Sequence, residues 1–142
     1  MKHIEENQSS NQKTYYENVY SDPKSEIHFE KNFDDYYVKR LLKKFNLNKE
    51  SKILELGCGN GIFTKKLIDL GAHVTAIDIS EKAIDSVSQN FEKQIEEGKA
   101  VFHCADLNEF LRKESKKLYT HIVGGGILHH IQNLSETLKL IE

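Results

Sequence analysis

An α/β fold with a doubly wound parallel sheet is what this chain predicts, on three observations. An apolar run, Lys52-Ile53-Leu54-Glu55-Leu56, passes directly into Gly57-Cys58-Gly59-Asn60-Gly61, and an amphipathic stretch from Ile62 to Leu70 follows. From there short apolar runs alternate with helical patterns as far as Glu142. Acidic residues, Asp78 and Asp106, follow the second and third apolar runs. Strands alternating with helices imply right-handed βαβ units and a parallel sheet. The doubly wound rule gives the strand order 3-2-1-4, with a ligand expected at the switch point between strands one and four.

The elements follow in order. Residues Met1 to Lys13 are polar and aperiodic and read as a loose tail. Thr14 to Tyr20 carries tyrosines that suit either a lid over a ligand or aromatic anchors holding a short helix to the body; the second reading is the simpler. A turn is expected at Ser21-Asp22-Pro23, and a helix from Asn32, with Tyr37, Leu41, Leu42 and Phe45 on its apolar stripe. The basic residues between them read as a solvated face. Residues 1–31 are thus a polar tail with a tyrosine-rich, lid-like segment, and 32–142 form the ligand-binding domain. Strands are expected at Ile53–Leu56, His73–Ile77, Ala100–His103 and Tyr119–Val123. Helices are expected at Ile62–Leu70, from an N-cap at Ser80 to about Glu97, at Asn108–Ser115, and from a capping box at Asn133-Leu134-Ser135-Glu136. Gly71 and Gly98 stop the first two of these.

Bulk composition bounds the function. The chain has 142 residues, enough for one domain, and a formal net charge of −2, which gives no global basic field for nucleic acid. Two cysteines, Cys58 and Cys104, make no disulfide framework. With no leader-like segment or long apolar run, the chain reads as soluble and cytoplasmic, without a membrane partner. A shared metal site is not expected: strands one and three are two spacings, roughly 10 Å, apart, too far for both thiolates to reach one zinc at about 2.3 Å.

The glycine spacing discriminates between ligands. A dinucleotide fingerprint is G-x-G-x-x-G. Here the third glycine comes one residue early, so the pattern is E-x-G-x-G-x-G from Glu55 to Gly61. Gly57 and Gly59 let a ligand lie against the backbone. Asp78, seventeen positions after Gly61, suits two ribose hydroxyls, although a carboxylate there also suits a helix N-terminus.

This pattern resembles motif I of the class I S-adenosylmethionine-dependent methyltransferases, which have a Rossmann-like fold. Ala105-Asp106-Leu107 is similar to their third motif, and Tyr119 to Ile131, with Leu128-His129-His130, to a fourth motif of Leu-His-His type. The resemblance implies S-adenosylmethionine as cofactor and a site made of Glu55, Gly57, Cys58, Gly59, Gly61, Asp78, Ile79, Asp106, Leu107 and Gly124. In it Glu55 orients the loop and the methionine amino group, Ile79 lies against adenine, and Asp106 takes the adenine amino group unless it is only an N-cap. The chain departs from the fourth motif in two ways. Thr120 stands where Asp is usual, which predicts a weaker structural hydrogen bond, and Gly124-Gly125-Gly126 replaces a polar turn. No Asn-Pro-Pro-Tyr sequence is present, so base or amide methylation of that kind is not indicated. His129 and His130 are candidate general bases, with structural roles at the start of the last helix as the alternative.

Methyl transfer from a sulfonium needs mainly alignment and exclusion of water, so no catalytic residue is named by the motifs. The Leu-His-His form leans toward small molecules or lipids as substrates by resemblance alone. The resemblance also implies strands beyond Glu142. Their absence leads to the expectation of a fragment keeping the cofactor-binding half, of a split enzyme, or of a sheet completed by self-association or a partner chain. Two other function classes stay open. One is a catalytically silent methyltransferase-like binding subunit. The other is an NAD-dependent oxidoreductase, against which the glycine spacing argues.

Overall fold

The centre of the sheet is β1 (Lys52–Leu56), flanked on both sides and buried from Ile53 to Leu56, as a strand covered on both faces must be. The structure, a computed structural model, describes residues 2–22, 35–114 and 118–142. Its described elements run α1 (Lys2–Val19), α2 (Asp35–Lys44), β1, α3 (Ile62–Asp69), β2 (His73–Asp78), α4 (Glu81–Asn90), α5 (Glu92–Glu96), β3 (Ala100–Cys104), α6 (Leu107–Lys113), β4 (His121–Val123), a 3-10 turn (Leu128–His130) and α7 (Leu134–Ile141). The sheet order is β3-β2-β1-β4 and every pairing is parallel, as the alternation of elements predicts.

The period-2 alternation of β1 divides the core. Ile53 joins Val38 and Leu42 of α2, Phe63 and Leu67 of α3 and Val87 of α4 on one face. Leu54 and Leu56 join Ile77, Leu111 of α6 and Leu140 of α7 on the other. Thr120 stitches the start of β1 to β4. Its hydroxyl accepts from the Lys52 amide at 3.0 Å, and its own amide donates to the Lys52 carbonyl at 2.8 Å. A hydroxyl thus supplies the acceptor at this point, a neutral one where the family pattern has a carboxylate.

Several boundaries differ from the sequence reading, the following four among them. The loose tail is a helix: α1 begins at Lys2 and is held by polar contacts to distant segments, not by an apolar stripe. The helix expected to run to Glu97 breaks at Phe91, whose φ is −116°, and the break leaves Ile95 exposed. Phe45 lies past the end of α2 and is exposed; Asn46, at φ 54°, ends the helix in the left-handed region. Val38, not Phe45, fills the core position. β4 begins at His121, two residues later than expected. The expected positions Pro23, Asn32 and Ser115, and the Tyr37 side chain, lie outside the described residues.

Gly61 is a packing glycine. It has φ +80°, and a Cβ there would lie 2.9 Å from both Val87 Cγ1 and Phe91 Cε2. The missing side chain is what lets α3 start against α4. Gly98 has a similar φ of +69° but open space around it. Gly98→Ala is expected to cost about 1 kcal/mol, the strain alone. Gly61→Ala should cost about 1–3 kcal/mol more, the overpacking. Urea unfolding of the two variants measures the difference, and equal losses would contradict this account of Gly61.

Candidate functional site

The carboxyl ends of the four strands lie along one edge of the sheet, and the glycine loop leaves β1 there. Few side chains in the loop can hold it, so its neighbours do. The Gly57 and Cys58 amides both donate to the Ile77 carbonyl, at 2.8 and 3.1 Å. The Gly59 amide donates to Asp78 Oδ2 at 2.9 Å, while Asp78 Oδ1 accepts from the Ser80 amide at 2.9 Å. One carboxylate thus ties the loop to the end of β2 and to the entry of α4. Ser80 caps α4 by accepting from the Ala83 amide at 3.2 Å. Burial pushes the Asp78 carboxyl up, against the hydrogen bonds from Ser80, Gly59 and Ile79 that favour its anion.

Beside Asp78 opens a cleft of about 950 Å³, at the upper end of the range for small-molecule sites, roughly 300–1,000 Å³. Gly57, Asp78, Ile79, Asp106, Leu107 and His130, all singled out by sequence, line it. Asp106 also caps α6, accepting from the Asn108 and Glu109 amides at 3.0 and 3.1 Å. The other predicted residues are not among the cleft's lining residues. Glu55 is fully buried and accepts from the Thr64 hydroxyl of α3 at 2.7 Å. Cys58 is buried, and burial pushes its thiol up. Gly61 faces α4, and Gly124, exposed and outside the cleft lining, has Ile127 2.8 Å from where its Cβ would stand. Gly59 lies under Tyr20, whose hydroxyl is 2.5 Å from its missing Cβ.

α1 crosses the opening. Its Gln12 side chain donates to the His130 carbonyl, and its Glu17 carboxylate accepts from the Glu81 amide at 2.6 Å, at the N-terminus of α4. Tyr16 and Tyr20 line the cleft; their rings stack at 6.2 Å, and Tyr16 meets the His130 ring edge-on at 5.3 Å. The sequence reading favoured these tyrosines as anchors. Their i,i+4 spacing, which puts both on one helix face, is the signal that places them together. His129 and His130 sit on the 3-10 turn with ring centroids 3.7 Å apart, and only His130 is among the described lining residues. Burial, then His129, push the His130 imidazole below its ordinary pKa, so it is neutral at neutral pH. Among the described residues no group of three or more His, Cys, Asp or Glu is placed to hold a metal, and no helix is long and apolar enough to cross a membrane.

Comparison with known proteins follows this geometry. The methyltransferase domain family model matches residues 53–142. The chain is 31% identical over 103 residues to a malonyl-[acyl-carrier protein] O-methyltransferase of Bacillus cereus, covering 70% of this chain and 35% of that protein. It is 31% identical over 88 residues to a ubiquinone biosynthesis O-methyltransferase of Aromatoleum aromaticum, covering 61% of this chain and 36% of that one. Among solved structures it is similar to MccD protein, with a TM-score of 0.66 and 26% identity over 74% of this chain and 46% of that one. It is also similar to magnesium protoporphyrin IX methyltransferase from Synechocystis with bound SAM, with a TM-score of 0.60 and 25% identity over 75% of this chain and 50% of that one. The chain spans about a third of the length of these two curated relatives.

Glu55 carries the buried carboxyl behind the loop. Burial pushes its pKa up from 4.5 to about 7, with Asp78 adding to the rise and the Thr64 hydroxyl opposing it. Between pH 4.5 and about 7 the folded chain therefore keeps a proton that the unfolded chain has released. Stability falls as pH rises through that window, by on the order of 3 kcal/mol, and this contribution is flat above it. Glu55→Gln keeps an acceptor for Thr64 and removes the titration. Urea unfolding at pH 5 and pH 8 should show the variant gaining on the wild type as pH rises. A stability difference independent of pH would contradict a protonated Glu55.

Proposed function

The chain belongs to the class I S-adenosylmethionine-dependent methyltransferases, in the methyltransferase domain family, and on that premise we propose that it binds the cofactor in the cleft beside Asp78 for methyl transfer to a small-molecule acceptor. S-adenosylmethionine supplies an already activated methyl group. The protein's part is then to bind, orient and exclude water. The observation that carries the reading is Asp78: an acid at the end of β2, hydrogen-bonded to the glycine loop, in the wall of the cleft.

The residues present fit the cofactor. The Asp78 carboxylate takes the Gly59, Ser80 and Ile79 amides, and its lone-pair sites, about four, leave capacity for a ribose hydroxyl. Ile79 and Leu107 offer apolar surface for adenine, and Asp106, held by its cap bonds, is the acceptor for the adenine amino group. Gly57, Gly125 and Gly126, which line the cleft, border the methionine end. Glu55, Cys58, Gly59 and Gly61 act as positioning residues that shape the loop from behind. His130, neutral and in the cleft wall, is the candidate proton acceptor; His129 acts through its contact with it. The relatives named as O-methyltransferases support an oxygen nucleophile on the acceptor.

Calorimetric titration with S-adenosylmethionine, S-adenosylhomocysteine and NAD tests the reading. The first two are expected to bind saturably and NAD not to bind. Asp78→Ala, verified as folded by its circular dichroism, should weaken binding by at least about 10-fold, the loss of one or two hydrogen bonds to a charged group. NAD binding, or full affinity in the variant, would overturn it.

A further inference from the structure

The basic residues of α2 take no part in the cleft. Lys39, Arg40, Lys43 and Lys44 are exposed. At 3.6 residues per turn they fall within an arc of about 140°, opposite Val38 and Leu42, which enter the core. Lys49 and Lys52, also exposed, continue the run through the loop into β1. Residues 35–52 thus hold six lysines and arginines against two acids, a net charge of +4 in a chain whose net charge is −2; the rest of the chain, at −6, is acidic. Lys65, Lys93 and Lys99 each have a carboxylate partner, but among the described residues Lys39, Lys43, Lys44, Lys49 and Lys52 have none.

An apolar group sits within this patch. Phe45 follows the last turn of α2 and is 54% exposed, with Lys44 Nζ 5.9 Å from its ring centroid. The backbone holds it there. Asn46, at φ 54°, ends the helix, and the Phe45 carbonyl lies 3.0 Å from Nε2 of His121, the first residue of β4. Phe45 and Lys52 are therefore at the amino ends of the strands, whereas the cleft is at their carboxyl ends. A partner held by this surface leaves the cleft open.

The chemistry of the patch selects the partner. Five of its six bases are lysines, point charges on flexible stems and not the planar forks that match a fixed phosphate geometry. Such charges suit an array of anions that is itself fluid. A nucleic-acid duplex gives Phe45 nowhere to bury, whereas the boundary between lipid headgroups and acyl chains does.

We propose that the outer face of α2, with Phe45 at its end, is a docking surface for an anionic lipid bilayer, held by attraction of the lysines to the headgroups and by shallow insertion of the Phe45 ring. The acidic remainder of the chain turns away from the same membrane, which fixes the orientation. The contact is peripheral and reversible and needs no membrane-crossing helix. It goes beyond methyl transfer and does not depend on the cofactor reading.

Co-sedimentation of the full chain with vesicles tests this, with equimolar phosphatidylcholine and phosphatidylglycerol set against phosphatidylcholine alone. Binding is expected only to the anionic vesicles, and it should weaken as salt rises. Lys39→Gln combined with Lys43→Gln should lower the partition constant about 25-fold, about 5-fold for each lysine near the surface. Phe45→Ser should lower it about 5- to 10-fold. Lys93→Gln combined with Lys139→Gln makes the same change in net charge at exposed positions of α5 and α7, and should alter it less than about 2-fold. Circular dichroism checks the fold of each variant. Absence of binding to the anionic vesicles, equal binding to phosphatidylcholine alone, equal losses in the two lysine pairs or full binding by Phe45→Ser would overturn the proposal. So would tighter binding to a duplex DNA oligonucleotide, lost in the Lys39 and Lys43 variant, which would assign the surface to nucleic acid.

Discussion

The hydrogen bond from the Gly59 amide to the Asp78 carboxylate is the contact on which the functional edge of the sheet depends. The loop between β1 and α3 has φ values of +71° at Gly57, +51° at Gly59 and +80° at Gly61, conformations with little intrinsic preference of their own. Something outside the loop must hold it, and Asp78 does so from the next strand. The same carboxylate receives the Ser80 amide where α4 begins, so its charge meets the positive end of that helix. Burial works against the anion and the charge-assisted hydrogen bonds work for it. The site is thus built around a carboxylate that is costly to bury and is kept because three segments use it.

Much of this was legible in the sequence, for a physical reason. The strands are apolar runs bounded by glycine or acid, the helices α3, α4 and α7 carry stripes at helical spacing, and Ser80, Asp106 and Asn133 cap where caps are expected. The parallel order follows from the alternation of elements alone. Of the candidate site, Asp78, Ile79, Asp106 and Leu107 line one cleft because they follow strand ends, which share one edge in a parallel sheet.

What was not legible depended on contacts between distant segments. α1 has no apolar stripe to announce it; Gln12, Glu17 and the tyrosines find partners 60 or more residues away, at Glu81 and His130. The break at Phe91 reflects that ring's packing under Gly61 and 5.8 Å from Phe102, which no local propensity encodes. Glu55 and Gly61 carry motif positions, yet both face the helical layer. Motif spacing fixes which residues surround a loop, not which side of the backbone each one serves. Thr64, buried on α3 opposite Glu55, had no signal beyond its helical position.

The cleft that results has a glycine floor, acids at two strand ends and an aromatic roof from α1. That combination is suited to holding an adenosyl group with its hydroxyls on carboxylate and its base on apolar surface, away from water. A crystal structure of the chain with S-adenosylhomocysteine tests this account most directly. It predicts the ribose on Asp78, the adenine between Ile79 and Leu107, the Gly59 amide still bonded to Asp78, and α1 over the ligand. A ligand bound elsewhere, or bound with the Gly59 amide released from Asp78, would contradict it.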